Sequence, residues 1–204
     1  MQDAAHHPER GSDKTEVVRK ILAAGLVAHV GIIDGHGAPV VIPMAYAPDG
    51  DSVLIHGSVA SRLMRTDGPI CVTVTLLDGL VVARSLFNSS MNYRSVVITG
   101  VPVIVEGEER DRALLVLSDF LLPGRVGHAR GPSRPETRQT AVWRLSLANA
   151  TTKIRTGPPT EDPASDYDLP YWGGVVPVRT IFGEPESDGM GVALPTPDHL
   201  RYQR

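Results

Sequence analysis

The chain has 204 residues, of which 42% are hydrophobic and 21% are charged, and its formal net charge is -3. This balance is typical of a globular protein and excludes a fibre, and the mild acidity argues against a nucleic-acid partner held by bulk charge. The single cysteine, Cys71, excludes an internal disulfide and a cysteine-rich zinc site. The apolar runs are far shorter than the roughly 20 residues of a membrane helix, and the polar N-terminus differs from a secretory signal. We therefore expect a cytoplasmic protein without a membrane partner.

The first half of the chain has the pattern of one helix followed by several short strands. Asp13 and Glu16 have the spacing of a capping box, which predicts a helix that Gly25 closes. Runs of β-forming residues between turn residues predict strands at residues 26–33, 39–46, 52–56 and 71–76. A short helix is predicted at residues 59–66, and a turn directly after the last of these strands, at Asp78-Gly79.

The second half combines further strands with one strong helix pattern. A long strand at residues 93–105 is interrupted by Gly100 and Pro102, which indicate a bulge or a sheet edge. Residues 108–122 have acidic residues in the first turn and an apolar stripe, which predict a helix. A mobile loop is expected at residues 125–139. Further ordered apolar segments are predicted at residues 140–147, 151–156 and 172–178.

These elements predict a mainly β protein with flanking helices. The chain contains 20 glycines and 17 prolines, which suit short strands joined by turns better than a helical bundle. Strands bent by glycine and proline favour a barrel. We expect one folded domain at residues 13–183, between a flexible N-terminal tail at residues 1–12 and a C-terminal tail at residues 184–204.

Common catalytic motifs do not occur in the sequence. It contains no G-x-S-x-G elbow, no H-E-x-x-H zinc motif, no P-loop and no G-x-G-x-x-G after a strand. The seven histidines are scattered without the spacing of metal ligands, so no metal site is predicted. These observations disfavour hydrolases, zinc proteases, and the P-loop and Rossmann nucleotide-binding folds.

A candidate anion site lies where the third predicted strand passes into the short helix. Residues 55–62 read I-H-G-S-V-A-S-R. The free amides at a helix start, the hydroxyls of Ser58 and Ser61 and the guanidinium of Arg62 are groups that bind phosphate. The alternative is a plain helix cap formed by the same serines.

A second polar segment, residues 85–100, enters a strand with another arginine and several hydroxyls. Together the two segments resemble the FMN-binding split-barrel family related to pyridoxamine 5'-phosphate oxidase, in particular its branch of nitroimidazole-resistance-type flavoproteins. The most specific matches are H-G-S-V-A-S-R at residues 56–62 and N-Y-R-S-V-V-I-T-G at residues 92–100. The family's I-P-x-x-Y and W-G-G patterns have counterparts at residues 42–46 and 172–174.

The resemblance covers about residues 14–182 and implies a split β-barrel that binds FMN. The residues that it assigns to the cofactor are Pro43, Met44, Tyr46, His56, Gly57, Ser58, Ser61, Arg62, Ser85, Asn88, Asn92, Arg94, Ser95 and Trp172. By this resemblance Ser61 and Arg62 hold the phosphate, with Arg94 and Ser95 assisting. Residues 43–46 pass beside the flavin ring, and Trp172 shields the ring across a dimer interface.

The implied function is electron transfer in a homodimer with the cofactor at the subunit interface. We expect a flavin-dependent oxidoreductase that passes electrons from a nicotinamide donor, NAD(P)H, to a small organic acceptor. Pyridoxamine-phosphate oxidases carry a C-terminal Arg and His pattern, of which this chain has only Arg179, so vitamin B6 is not the expected substrate. Two alternatives stay open. One is a flavin carrier or sensor without catalysis, and the other is a related barrel that uses deazaflavin or haem, with His29, His56 or His128 as the axial ligand of haem.

Overall fold

The computed structural model describes residues 11–12, 15–61, 63–192 and 194–201, so most of the predicted N-terminal tail, the predicted helix cap Asp13 and the predicted phosphate ligand Arg62 lie outside the described residues. The helices are α1 (Thr15–Ala24), α2 (Gly107–Leu121) and α3 (Arg134–Arg138). The strands are β1 (Gly11–Ser12), β2 (Val27–Ile33), β3 (Pro39–Asp49), β4 (Ser52–Ser58), β5 (Ile70–Val82), β6 (Ser90–Gly100), β7 (Val103–Val105), β8 (Thr140–Ser146), β9 (Ala150–Arg155) and β10 (Gly174–Pro177).

The strands form an antiparallel sheet that curls into a split barrel. Its order is β1-β9-β6-β5-β2-β3-β4-β8-β7, and β10 pairs with the last part of β5. The long strand β3 joins the two halves of the sheet. Its first part pairs with β2, where Ala45 lies opposite Val27, and its last part pairs with β4, where Tyr46 lies opposite Ile55. The predicted mainly β split-barrel class is confirmed.

Alternate residues of the strands fill the barrel interior. In β2 the side chains of Ala28, Val30 and Ile32 are buried, whereas the intervening His29 is exposed, which is the period of a half-buried strand. Helix α1 adds its apolar face to this core. The largest fully buried side chains of the core are Trp143, Tyr46, Ile21, Leu22, Ile55, Leu63, Ile98 and Leu145.

Helix α2 covers part of the outer face of the barrel. Ala113 and Leu117 on the helix pack with Ala47, Leu54 and Val142 on strands β3, β4 and β8. Val53 and Ile55, the residues of β4 on either side of Leu54, face the barrel interior. Both faces of β4 are therefore buried where the helix covers it. The outer face of β2 and of the first part of β3 stays exposed.

An ion-pair network attaches the first turns of α2 to the sheet. Arg112 of the helix donates to Asp49 of β3, with 2.6 Å between Nη2 and Oδ2, and to Glu109 at 2.9 Å. Arg144 of β8 reaches the same two carboxylates. Hydrogen bonds from Arg112 and Arg144 lower the pKa of Glu109 to about 2. The network therefore stays charged at neutral pH and joins the first turns of α2 to β3 and β8.

Strand β5 continues through the predicted turn at Asp78-Gly79, so that prediction is wrong. The two residues form a bulge within β5, since the register against β6 shifts between Leu77 and Gly79. A Cβ added at Gly79 would lie 2.9 Å from Val175 Cγ1 in β10. Glycine here permits the close approach of β10, and the chain reverses only at residues 83–89.

The predicted long strand at residues 93–105 is divided in two. Strand β6 ends at Gly100, and β7 pairs with β8 in the other half of the sheet. Pro102, which has no N–H for a ladder hydrogen bond, lies in the two-residue break. The proline therefore marks the point at which the chain leaves one half of the barrel for the other.

The expected mobile loop at residues 125–139 contains helix α3. Ser133 accepts from the Glu136 backbone N–H, and Glu136 accepts from the Ser133 backbone N–H at 2.7 Å, so the pair forms a complete capping box. Arg130 also forms an ion pair with Glu136. Proline at the start of the helix and this cap explain why five residues are helical.

The C-terminal part of the chain is extended after β10. Residues 178–192 and 194–197 carry no regular secondary structure, and a 3₁₀ turn follows at Asp198–Leu200. In this turn the ring of His199 packs on that of His128, with 4.3 Å between the centroids. The end of the predicted C-terminal tail thus contacts the loop that follows α2. Within the described part of the chain no helix has the length and hydropathy needed to cross a bilayer.

Candidate functional site

The turn after β4 is the centre of the predicted phosphate site. The Ala60 N–H donates to Ser58 Oγ at 3.2 Å, and the Ser61 N–H donates to the Ser58 carbonyl at 2.9 Å. The predicted helix at residues 59–66 is wrong, because only a single 3₁₀ turn, Leu63–Arg65, follows. The backbone N–H groups of Ala60 and Ser61, which were expected to face an anion, therefore donate hydrogen bonds within the turn. An anion held here would depend on side-chain donors, such as the half-buried Ser61 hydroxyl.

Gly57 and Met44 belong to the packing below this turn. A Cβ added at Gly57 would lie 2.9 Å from Met64 Cγ and 3.5 Å from Met44 Cε. Met64 is buried, and Met44 is partly buried against the barrel core. Glycine is thus required at residue 57 because two methionine side chains cross the strand at this point.

Tyr46 lies inside the barrel. Its side chain is 1% exposed, and its hydroxyl donates to the Leu22 carbonyl at 2.6 Å. Its ring also contacts Phe120 of α2, with 5.6 Å between the centroids. The side chain of Tyr46 therefore links α1, β3 and α2, and it faces away from the exposed outer surface of the sheet.

The exposed outer face of β2, β3 and β5 carries another of the predicted residues. Pro43 lies opposite His29 in the adjacent strand, and His29 lies opposite Thr73 on its other side. Val41, two residues before Pro43 on the same face, is 64% exposed. The face is therefore an exposed, partly apolar surface.

His56 lies at the end of β4, opposite Val142 of β8. Its side chain is accessible to solvent, but protein surrounds it closely enough that partial burial lowers its pKa. The His56 side chain has no hydrogen bond to a described residue, whereas its backbone belongs to the ladder between β4 and β8.

Three of the predicted residues on β6 have partners within the chain. Arg94 donates to both carboxylate oxygens of Asp78, at 2.8 and 2.7 Å, and this pairing raises the pKa of the guanidinium. Ser95 donates to the Lys153 carbonyl. Asn92 is buried, donates to the Gly157 carbonyl and accepts from Arg155 at 2.6 Å. The sequence pattern did not indicate the pairing of Asn92 with Arg155.

The loop between β5 and β6 holds two further predicted residues. The Asn88 N–H donates to Ser85 Oγ, and the Asn88 amide donates to the Asp162 carbonyl at 3.1 Å. These bonds form a closed turn. Its tip projects Leu86 and Phe87 into solvent, with 98% and 92% of their surfaces exposed.

The W-G-G motif lies beside this loop. A Cβ added at Gly174 would lie 2.7 Å from Trp172 Cζ2, and one at Gly173 would lie 2.6 Å from Arg84 Nη1. The two glycines therefore make room for an indole and a guanidinium. Trp172 itself is 65% exposed, so one side of the indole is open.

A buried carboxylate next to the W-G-G motif escaped the sequence analysis. The side chain of Glu161 is fully buried, and its Oε1 accepts from the Arg84 backbone N–H at 2.8 Å. Its Oε2 has no hydrogen-bond partner among the described residues. Arg84 lies over the ring of Tyr167. Nothing in the acidic, proline-rich composition of residues 157–170 distinguishes this one glutamate.

The structure thus gathers the predicted residues into two groups. In the first group, His56, Gly57, Ser58 and Ser61 lie at the end of β4 and in the turn that follows, and Pro43 and Met44 lie in the part of β3 that precedes its pairing with β4. Ser85, Asn88, Asn92, Arg94 and Trp172 lie around the bulge of β5, its loop and β10. No cluster of three or more metal-ligating side chains occurs in the part of the chain that the structure describes.

The sheet is antiparallel and curled, one helix crosses its outer face, and an exposed surface lies beside the end of β4. These features define a split-barrel protein. The family model for pyridoxamine 5'-phosphate oxidase matches residues 14–154, which is more than half of the chain. The chain therefore belongs to the pyridoxamine 5'-phosphate oxidase family, and the predicted family is confirmed. No protein of curated function matches the sequence.

Solved structures share the fold over most of the chain. The flavocytochrome Anf3 from Azotobacter vinelandii is 38% identical, with a TM-score of 0.93 over 98% of this chain and 95% of that one. An FAD- and haem-binding protein from Mycobacterium smegmatis is 32% identical, with a TM-score of 0.87 over 94% and 96%. A proposed 5-nitroimidazole antibiotic resistance protein from Bacteroides thetaiotaomicron, 22% identical with a TM-score of 0.60 over 71% and 86%, shares the fold.

Proposed function

We propose that this protein binds a flavin nucleotide non-covalently and transfers electrons with it. The observation that carries the proposal is the likeness of nearly the whole chain, at 38% identity, to a flavocytochrome with the same split barrel. A bound flavin supplies hydride and single-electron chemistry, while the protein supplies binding, orientation and exclusion of water.

The proposed position of the ring is the outer face of β2, β3 and β5. Pro43, His29 and Thr73 lie side by side there and offer a shallow surface. The phosphate is directed to the turn after β4, where Ser61 and Arg62 bind it. Arg94 is paired with Asp78, so Arg62 supplies the positive charge in this proposal.

FMN is the cofactor that the resemblance of the sequence implies, whereas one relative binds FAD and haem. FMN and FAD share the riboflavin 5'-phosphate unit, and the residues assigned above act on that unit alone. We propose FMN, and equilibrium titration of the protein with FMN, FAD and riboflavin tests this choice. Tighter binding of FAD than of FMN would show that further residues bind the adenylate.

The proposal includes the electron donor, the acceptor and the assembly. NAD(P)H reduces the flavin, a small organic molecule accepts the electrons, and Trp172 of each protomer covers the flavin of its partner in a homodimer. The exposed indole supports this arrangement, since a rigid apolar face that is open in one chain can exclude water when a second chain brings a flavin to it. Reduction of the bound flavin by NADH or NADPH without oxygen tests the donor.

Arg62→Ala is expected to weaken FMN binding by about 1.5 to 3 kcal/mol, or roughly 10- to 150-fold in Kd, because a charge-assisted hydrogen bond to the phosphate is lost. Fluorescence titration of the apoprotein measures the change. Riboflavin, which lacks the phosphate, should bind both proteins equally. The control is Lys20→Ala on the exposed side of α1, and an unchanged Kd for FMN in Arg62→Ala would refute the assignment.

Haem is the second cofactor that we propose, and the flavin would pass electrons to it. The supporting observation is that two relatives more than 30% identical to this chain are a flavocytochrome and an FAD- and haem-binding protein, each aligned over nearly its whole length. The chain offers imidazoles that fit the chemistry of an axial ligand. Reconstitution with haemin, followed by the absorption spectrum of the separated protein, tests whether haem is retained.

A further inference from the structure

Glu161, between β9 and β10, is a buried carboxylate that has no role in the proposed function. Its side chain has no exposed surface, and it is the one acidic residue among the buried polar residues of the described chain. The other carboxylates that form ion pairs within the described ranges are at least 20% exposed. A buried charge is costly unless it is paired and hydrogen-bonded, so the partners of Glu161 indicate what this carboxylate does.

The segment that contains Glu161, residues 157–170, is attached to the rest of the chain by neutral hydrogen bonds on both sides of this residue. Asn92 of β6 donates to the Gly157 carbonyl at 3.0 Å, and Asn88 donates to the Asp162 carbonyl at 3.1 Å. These bonds hold the backbone of the segment and need no charge on it. The charge of Glu161 therefore serves its charged partner, which among the described residues is Arg84.

Glu161 holds Arg84 at two points. Its Oε1 accepts from the Arg84 backbone N–H at 2.8 Å and lies 3.5 Å from Nη1 of the guanidinium. The guanidinium also lies over the ring of Tyr167, 5.7 Å from the centroid, and the Arg84 side chain is only 25% exposed. A carboxylate that interacts with both the backbone and the side chain of one arginine restricts the direction of that side chain.

The direction of Arg84 matters because its guanidinium lies against the W-G-G motif. A Cβ added at Gly173 would lie 2.6 Å from Nη1 and 3.3 Å from Cζ of Arg84. A Cβ added at Gly174 would lie 2.7 Å from Cζ2 and 2.8 Å from Cη2 of Trp172, so the indole lies close against that glycine. The guanidinium thus packs on the residue between Trp172 and β10, whose first residue is Gly174.

Trp172 lies far along β5 from the surface proposed for the flavin ring of the same chain. Gly174 pairs with Val82 of β5, whereas Thr73 of β5 pairs with His29 on the proposed flavin surface. The nine residues from Thr73 to Val82 correspond to about 30 Å of strand. This separation, together with the open side of the indole, supports contact between Trp172 and the flavin of a second chain.

We propose that Glu161 is a positioning residue for Trp172. It holds the Arg84 guanidinium against Gly173, and this contact sets the angle at which the indole leaves the motif and covers the flavin of the partner protomer. The inference rests on the proposed function, in which Trp172 excludes water from that flavin. Glu161 acts through Arg84 and touches neither the flavin nor the substrate.

The first test follows the indole without flavin. The chain has two tryptophans, of which Trp143 is buried in the core and Trp172 is exposed. Protein labelled with 5-fluorotryptophan therefore gives two ¹⁹F resonances, and Trp172→Phe identifies the one from Trp172. Glu161→Gln keeps the size and an acceptor oxygen but removes the charge, and it is expected to shift the Trp172 resonance alone. Glu184→Gln, at an exposed carboxylate, is the matched control and should shift neither resonance.

A second substitution removes the other end of the ion pair. Arg84→Lys keeps a positive charge beside Glu161 and removes the planar group that lies against Gly173. It should shift the Trp172 resonance as Glu161→Gln does. Circular dichroism and thermal unfolding confirm that each variant is folded. A Trp172 resonance that stays in place in both variants would overturn the inference.

The second test measures the cover of the bound flavin. An indole stacked on a flavin quenches its fluorescence, so Glu161→Gln is expected to raise the fluorescence of bound FMN by about twofold or more. In a Trp172→Phe background the same substitution should have no further effect, since a positioning residue acts only through the side chain that it positions. No rise in the wild-type background, or an equal rise in both backgrounds, would overturn the inference. Wild-type protein that retains no flavin would refute the proposed function, and the ¹⁹F resonances would still decide whether Glu161 positions Trp172.

Discussion

Gly25 shows how a single residue fixes the junction between α1 and the barrel. Its N–H donates to the Ile21 carbonyl and ends the helix. A Cβ added there would lie 2.5 Å from Val74 Cγ1 and 2.7 Å from the Tyr46 hydroxyl. That hydroxyl already donates to Leu22, so a displaced Tyr46 would leave a buried carbonyl without a partner. The requirement for glycine arises from the packing of three elements.

Gly25→Ala is expected to lower the free energy of unfolding by about 1 to 3 kcal/mol, because the added methyl group overpacks the core. Urea denaturation followed by circular dichroism measures the change. Gly35→Ala is the matched control, since nothing lies within 4 Å of a Cβ at that residue. Equal stability of the two variants would contradict the packing argument.

At the scale of elements, the C-terminal 3₁₀ turn packs against the loop after α2 through His199. Gly124 has a positive φ of 77°, and a Cβ added to it would lie 3.0 Å from His199 Cβ. The groups around His199 are His128 and Arg125 of the loop and Asp198 of its own turn. Partial burial and the charges of His128 and Arg125 lower the pKa of His199, and Asp198 opposes them.

The turn at Asp198–Leu200 is expected to detach as the pH falls below about 6.5, the ordinary pKa of histidine. Since the docked state has the lower pKa, its stabilisation is complete above that pH and is lost on acidification towards the docked value. Hydrogen exchange of residues 194–201 between about pH 7.5 and 5 measures this loss. His199→Gln should remove the pH dependence, and a flat profile in the wild-type protein would count against the mechanism.

At the scale of the whole molecule, a single chain leaves apolar surface uncovered. On the outer side of the sheet Leu80 lies between Met91 and Val176 in adjacent strands, and each is about half exposed. Val41 is 64% exposed at another part of the outer face. Monomeric proteins rarely expose large contiguous apolar patches. These surfaces support the proposed homodimer, in which a two-fold axis would cover the same surface on both chains.

Val41→Glu is expected to convert the proposed dimer to a monomer and to release flavin, because a charge would be buried in the interface. Light scattering after size-exclusion chromatography measures the mass. Leu115→Glu, at a similarly exposed position on α2, should leave the mass unchanged. A wild-type protein with the mass of one chain would remove the basis for a shared cofactor site.

Much of the fold could be predicted from the pattern of residues. The positions of α2 and of β2, β4, β8 and β9 agree with hydrophobic periodicity and turn residues to within a few residues. Predictions made from neighbouring residues were wrong where contacts between segments distant in sequence determine the backbone conformation. Gly79 has the sequence context of a turn but forms a bulge because β10 lies against it, and the helix predicted after β4 is replaced by a serine-stabilised turn.

The sequence by itself determined the class of fold, the family and the two segments that contain most of the proposed cofactor residues, because these depend on local periodicity and on short motifs. Only the tertiary structure decided which side chains are available. It buries Tyr46 in the core, pairs Arg94 with Asp78 and leaves the side chain of His56 accessible to solvent near the end of β4. The physical reason is that neighbours distant in sequence determine the direction and the partners of a side chain, and a one-dimensional pattern does not contain them.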